Sequence, residues 1–271
     1  MEYNEIIQKI KLEIESNIKK DGVVILPPID VNDNLQLMKE LNVYFNVIII
    51  DPWYNRGIGG LREDYIEFIV NILDNAKQIT DHLYLWGFPD IVARFIERIP
   101  EPLQFLAWLT WYCKNTPSRT KGWRPSQQTC LHLSIPNAHM YPQNFLNEVQ
   151  KEKLKQGKLQ FFPGPTSVIE APLLVGFVGR NEQTGHPTQK SIQVYEKLIL
   201  MTTKENDIIL DPMCGSGTTA AVCLKHKIRC IMSDNSEEYI KMCEKRLNIK
   251  RIKINRYLNL LKENTEAIVL N

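Results

Sequence analysis

Ile208-Ile209-Leu210-Asp211-Pro212-Met213-Cys214-Gly215-Ser216-Gly217-Thr218-Thr219 decides the fold: an apolar run stops at an aspartate, turns through two glycines and opens directly into a helical pattern. A buried strand followed at once by a helix is one βα unit of a parallel sheet. Gly215 and Gly217 allow the backbone to turn tightly and to approach a ligand, with helix N-terminal amides facing it, which suits a nucleotide-like cofactor. No Gly-Lys-Ser/Thr follows, so the turn is not a P-loop, and a bare Gly-x-Gly is common in loops with no such task. Context sharpens it. Asp234, 17 residues after Gly217, ends the next apolar run, Cys230-Ile231-Met232-Ser233. A carboxylate there has two acceptor oxygens for neighbouring ribose hydroxyls; its alternative role is to cap the helix that follows.

The same rhythm extends outward in both directions. Apolar runs at 22–26, 43–50, 83–86, 105–112, 207–210 and 229–233 read as strands. Helical patterns lie at 34–41, 63–76 (Tyr65, Phe68, Ile69, Ile72 and Leu73 on one face), 90–98, 191–202, 218–226 and 237–250. This alternation predicts a doubly wound, mostly parallel sheet between two helical layers, closed by an antiparallel strand near 173–178. With 271 residues and 44% hydrophobic content, the chain reads as one domain, 1–271. The stretch 114–185 breaks the rhythm, being rich in proline and polar residues with one helix near 142–156, and reads as a functional insert.

The overall charge is only +2, but its distribution is uneven. Between Cys113 and Gln160 stand eight basic residues (Lys114, Arg119, Lys121, Arg124, Lys151, Lys153, Lys155, Lys158) and two acidic ones, so the rest of the chain carries a net negative charge. A basic insert on an acidic body suggests a polyanion-facing surface; a solvated loop and helix face is the alternative. The C-terminal stretch 241–256 is also basic and reads first as a solvated helix face. The first twenty residues mix charges with apolar residues at helical spacing, which excludes a signal peptide or membrane span there and gives a soluble, cytoplasmic reading. Six cysteines without a C-x-x-C pair read as reduced thiols. Cys113, Cys130, His132 and His139 match no common zinc spacing and read as packing residues, so no metal is expected.

Asp211-Pro-Met-Cys-Gly-Ser-Gly-Thr-Thr219, preceded by His186-Pro-Thr-Gln-Lys190 and followed by Asp234-Asn-Ser-Glu-Glu-Tyr239, resembles the cofactor half of the β-group amino-methylating DNA methyltransferases. Those enzymes carry their catalytic tetrad, Asp/Asn/Ser-Pro-Pro-Tyr/Phe/Trp, earlier in the chain, where this sequence has Asp51-Pro52-Trp53-Tyr54. The resemblance spans about Val24 to Leu247 and implies a Rossmann-like methyltransferase fold, a three-layer α/β/α sandwich, with S-adenosylmethionine as cofactor. It implies that Asp211, Cys214, Gly215, Ser216, Gly217 and Thr218 surround the methionine end of the cofactor. His186, Pro187, Thr188 and Lys190 would lie near its carboxylate, Asp234 at the ribose and Asp30 at the adenine, with Asp33 the alternative to Asp30.

An exocyclic amino nitrogen is a poor nucleophile because its lone pair is delocalised into the ring. Acceptors on its hydrogens, here Asp51 and the Pro52 carbonyl, favour a pyramidal nitrogen and free that lone pair for a direct in-line displacement. Tyr54 would stack on the target base, which must flip out of the duplex. Trp53 replaces the family's second proline; it offers a stacking face or marks divergence towards another substrate or lost activity. The insert stands where the family places target recognition. Its cations suit phosphates, and Trp123, His132, Asn137, His139, Tyr141 and Gln143 suit base edges.

The reading is therefore a site-specific methyltransferase of double-stranded DNA acting on N6 of adenine, since an aspartate opening the tetrad leans to adenine in the family. The alternatives are N4 of cytosine, an RNA base, or an inactive DNA-binding subunit. The short insert leaves room for a homodimer, and a restriction-modification context would add a cognate restriction endonuclease.

Overall fold

Phe45-Asn46-Val47-Ile48-Ile49-Ile50 is almost uninterruptedly apolar because both of its faces are covered. In the computed structural model, which describes residues 2–56, 60–117 and 122–269, it forms strand β2 (Phe45–Ile50). Phe45, Ile48 and Ile50 enter one core; Val47 and Ile49 enter the other. The same period-two division holds elsewhere: Leu83 and Leu85 oppose Tyr84 and Trp86 in β3 (Thr80–Gly87), and Leu210 opposes Ile209 in β7 (Ile208–Asp211).

With β1 (Val23–Ile25), β4 (Gln104–Tyr112), β5 (Gln127–Ser134), β6 (Val168–Glu170) and β8 (Arg229–Met232), the described residues form one sheet in the order β1-β8-β7-β2-β3-β5-β4-β6. All neighbours are parallel except the two pairs made by β5. The first core is closed by α1 (Tyr3–Asp21), α2 (Val31–Glu40) and α3 (Tyr65–Ala76), and by Leu261 from α9 (Asn255–Val269). α1 contributes Ile6, Ile10, Ile14 and Ile18, one residue per turn on one stripe. The second core is closed by α6 (Ile192–Thr202), α7 (Thr218–His226) and α8 (Glu237–Leu247).

From β2 the chain winds one way through β3 and returns the other way through β7 and β8, which makes the β2/β7 seam the switch point of the sheet. The carboxyl ends of strands flanking such a seam splay apart and leave a crevice. Asp51 follows β2 and Asp211 ends β7, so both stand at its rim.

Three expectations from the sequence are corrected. The antiparallel strand is β5 and not 173–178, where Gly176 and Gly179 take positive φ (61° and 65°) and turn the chain before it can extend. Residues 90–98 are one α-helical turn, α4 (Pro89–Val92), continued as a 3-10 helix (Ala93–Arg98). The helix near 142–156 is divided into a 3-10 turn (Pro142–Phe145) and α5 (Glu148–Lys155), because Asn147 caps α5 with a reciprocal Gln150 bond. Arg119, Lys121 and the loop positions 57–59 lie outside the described residues. Among the described residues, no helix is long and apolar enough to cross a membrane.

Candidate active site

The crevice at the β2/β7 seam is a cavity of about 660 Å³, within the range of roughly 300–1,000 Å³ typical of small-molecule sites. Asp51, Pro52, Trp53 and Tyr54 line it from β2; Asp211, Cys214, Gly215, Ser216 and Thr218 line it from the β7–α7 turn. His186, Pro187, Thr188 and Lys190 approach from the segment before α6, while Asp234 follows β8 and Asp30 follows β1. The two motifs thus open onto one cavity. Gly217 is the one expected site residue that does not line it. It is the N-cap of α7 at φ +75°, where an added Cβ would meet Cys243 Sγ at 3.0 Å and Met232 Cε at 3.3 Å.

Asp51 is the most heavily contacted group. Lys190 Nζ donates to Oδ1 at 2.7 Å and to Oδ2 at 2.6 Å, Tyr54 OH donates to Oδ1 at 3.2 Å, and Tyr195 OH to Oδ2 at 3.3 Å. Burial and then the Asp51 charge hold the Tyr54 and Tyr195 hydroxyls well above the usual tyrosine range, so both remain donors. Lys190 is 4% exposed, and its ammonium lies 5.1 Å from the Tyr54 ring centroid and 5.2 Å from that of Trp86. Trp86 in turn stacks on Tyr195. Tyr54 also reaches Gln128 Oε1 at 3.1 Å and packs edge-on against Phe88. Trp53 is a bracing residue: its ring packs on Tyr65 and Phe68, and its carbonyl accepts the Tyr65 hydroxyl at 2.5 Å.

The glycine turn is held from within. Gly215 N–H donates to Asp234 Oδ2 at 3.0 Å and Gly217 N–H to the Cys214 carbonyl at 2.8 Å, so these two amides serve the turn itself. Asp234 also accepts Ser236 N–H at 2.9 Å, while Ser236 itself caps α8. Asp234 lines the cavity with this carboxylate. Burial first, against these hydrogen bonds, raises the Asp234 carboxyl above its ordinary value. Asp211 is buried under the Thr219 hydroxyl and Met213 N–H, and burial, with Asp51 adding, raises it to about 7. The His186 ring packs at a tilt against Tyr239, and its Nδ1 accepts Thr188 N–H at 3.3 Å; desolvation lowers its pKa and favours the neutral ring. Asp30 caps α2 and faces the cavity, whereas Asp33 pairs with Lys262 at 3.3 Å outside it.

Several lining residues were missed in the sequence: Tyr195, Phe68, Phe88, Arg62, Met213 and Tyr239. Each sits on an ordinary amphipathic or loop position, and only the folded neighbourhood marks it. Arg246 is another such case. From α8 it donates to the Ser216 carbonyl at 2.9 Å and to Thr218 Oγ1 at 3.1 Å, tying the turn to α8 from behind.

The insert is split between the two edges of the sheet. β4 ends and β5 begins at the end of the sheet that carries the cavity, where Gln128 of β5 meets Tyr54, and the exposed Trp123 and Arg124 shortly precede β5 in the chain. The stretch 135–146 is at the opposite edge: Ile135 N–H bonds the Asp81 carbonyl and Asn144 bonds the carbonyls of Leu200 and Thr203 at the far end of α6. Asn137, His139, Tyr141 and Gln143 therefore lie away from the cavity. His132 is buried, its Nε2 facing His82 Nδ1 at 3.1 Å, and does not reach a surface. Among the described residues, no three His, Cys, Asp or Glu side chains converge as a metal site.

A family model described as DNA methylase matches residues 45–245. The type II methyltransferase M.HpaI of Haemophilus parainfluenzae is 30% identical over 221 residues, covering 75% of this chain and 68% of that protein. Among solved structures, the M1.HpyAVI–SAM complex aligns with a TM-score of 0.65 at 21% identity, over 84% of this chain and 100% of that one. The PvuII DNA methyltransferase, titled cytosine-N4-specific, aligns at 0.59 and 12% identity, over 89% and 94%. These two share the fold.

Proposed function

This chain belongs to the DNA methylase family of N6-adenine and N4-cytosine methyltransferases, and from that premise we propose that it methylates N6 of adenine in double-stranded DNA. S-adenosylmethionine is the cofactor, and the residues present fit it: the cavity is of nucleotide size, acidic groups stand at Asp30 and Asp234 where hydroxyls and amines need acceptors, and Gly215 leaves space that a side chain would fill. When bound, the cofactor supplies a sulfonium methyl to the amino nitrogen, the S–CH3 electron pair stays on sulfur, and the methylated nitrogen releases one proton to water.

The observation that carries the reading is the opening of Asp51 and the glycine turn onto one cavity. Asp51 and the Pro52 carbonyl orient the amino group, Tyr54 supplies the stacking face, and the Tyr65 bond to Trp53 braces the tetrad backbone. Adenine is favoured over cytosine by the aspartate that opens the tetrad. Double-stranded DNA is favoured over RNA by the family's substrate, with the site-edge part of the insert as the reading surface. The type II label of M.HpaI extends the reading to a cognate restriction endonuclease, and the small reading surface extends it to a homodimer.

Nucleoside mass spectrometry on DNA from a methylation-deficient host expressing the chain tests target and activity together. N6-methyladenine is expected, absent with Asp51→Ala although that protein still binds the cofactor; N4-methylcytosine or unmodified DNA would refute the reading.

A further inference from the structure

The family resemblance implies that Lys190 lies near the cofactor's carboxylate, yet its ammonium is spent on Asp51, touching both oxygens at 2.6–2.7 Å. It is 96% enclosed, capped by the Tyr54 and Trp86 rings, and its backbone is pinned by Thr218 Oγ1 on the Lys190 carbonyl at 3.0 Å. A buried lysine so placed has little freedom to serve a second anion. We propose that Lys190 is a positioning residue for Asp51, holding the carboxylate in one rotamer, and is not a cofactor-carboxylate ligand; this rests on the methyltransferase reading above.

The geometry also selects the acceptor oxygen. An ionised carboxylate offers about four lone-pair sites. Here they meet two contacts from Lys190 and one each from Tyr54 and Tyr195. Tyr195 has no alternative acceptor among the described residues, and it is stacked on Trp86, so Oδ2 stays occupied. Tyr54 has one hydrogen and two acceptors within reach, Asp51 Oδ1 at 3.2 Å and Gln128 Oε1 at 3.1 Å. Turning that hydrogen to Gln128 frees a lone pair on Oδ1. The incoming amino group is received at Oδ1 while Lys190 stays on both oxygens. Without Lys190 the carboxylate loses both ammonium contacts, and only the two tyrosine hydroxyls remain to fix its rotamer. The other titratable groups facing the pair are Tyr54, Tyr65, Cys113, Cys130, His186, Tyr195 and Asp211; none is a cation that would replace Lys190.

Lys190→Met, Lys190→Gln and Lys190→Arg separate this role from cofactor binding. S-adenosylmethionine affinity is measured by calorimetry without DNA, and kcat on duplex DNA is measured at saturating cofactor. The expected result is a cofactor Kd within about threefold of the parent for all three. For Met and Gln, kcat falls at least 100-fold, and Arg recovers at least tenfold of that loss. A Kd weakened more than tenfold with kcat at saturating cofactor unchanged would overturn the proposal, as would an Arg variant no more active than Gln. Should Met fail to fold by circular dichroism, Gln carries the same comparison. An inactive parent refutes the methyltransferase reading, and the calorimetric comparison still decides whether the lysine holds the cofactor.

Discussion

Gly215 and Gly217 show how two neighbouring glycines can be required for different reasons. Both take positive φ, 48° and 75°, which costs a β-carbon-bearing residue of order 1–3 kcal/mol. At Gly217 an added methyl also presses on Cys243 Sγ and Met232 Cε, both in the core beneath the turn. Gly217→Ala is therefore expected to lower stability by about 2–3 kcal/mol, a fall in Tm of several degrees in a chain of this size. At Gly215 the added methyl would instead meet His186 Nε2 at 2.9 Å, at the cavity wall. Gly215→Ala is expected to weaken S-adenosylmethionine binding at least tenfold. Scanning fluorimetry with and without cofactor separates the two: Gly217→Ala shifts both curves down, whereas Gly215→Ala mainly loses the ligand-induced rise. Equal ligand-induced rises in both variants would remove the distinction.

Among the elements, the β4–β5 hairpin and α5 divide what composition had joined. Lys151, Lys153, Lys155 and Lys158 are exposed on or just after α5, but α5 is anchored at both flanks to the edge opposite the cavity. Asn144 bonds the end of α6, and Gly164 lies beside Met201 of α6. Arg124 is exposed three residues before β5, whose Gln128 touches Tyr54. A duplex that delivers a base to Asp51 is therefore expected to meet Arg124 before it meets α5. Arg124→Ala is expected to reduce the slope of log K against log salt by about 1, while Lys153→Ala with Lys155→Ala leaves it within error; fluorescence anisotropy on a labelled duplex at several salt concentrations reads both, and the reverse ranking would move the DNA surface to α5. The same pair explains what the sequence hid. β5 reads Gln127-Gln-Thr-Cys-Leu-His-Leu-Ser134, too polar for a buried strand on pattern alone, and its burial depends on partners distant in the chain, such as His82 for His132 and Tyr54 for Gln128. Strands β1, β2 and β7 were legible because Val, Ile and Leu occupy both of their faces.

In the molecule as a whole, Asp51 and the glycine turn converge because they follow β2 and β7 at one seam, a relation set by βα topology, while His186 to Lys190 reach the same cavity from the segment before α6. What escaped it was the pairing inside the cavity: Tyr195 and Lys190 lie on or before α6, and nothing in their spacing says that they meet Asp51. That buried polar set gives the whole fold a pH response with two opposing parts. Desolvation lowers His132 to about 3 and also lowers His82 and His186, so the unfolded chain binds protons that the native one refuses. Their contribution is complete above the unfolded value near 6.5 and is lost as pH falls below it. Asp211, raised to about 7, acts in the other sense: the native state keeps a proton that the unfolded state has released, a contribution complete below the unfolded value near 4 and lost as pH rises through 7. Between about pH 4 and 6.5 the two oppose each other, each by up to about 1.4 kcal/mol per pH unit for one full proton. His132→Gln is thus expected to flatten the rise of stability from pH 4.5 to 6.5, and Asp211→Asn to steepen it. Urea unfolding at half-unit pH steps reads the difference in slope, which is insensitive to whatever constant destabilisation either substitution brings. Curves parallel to the parent's would mean that neither burial perturbs its group in the folded state.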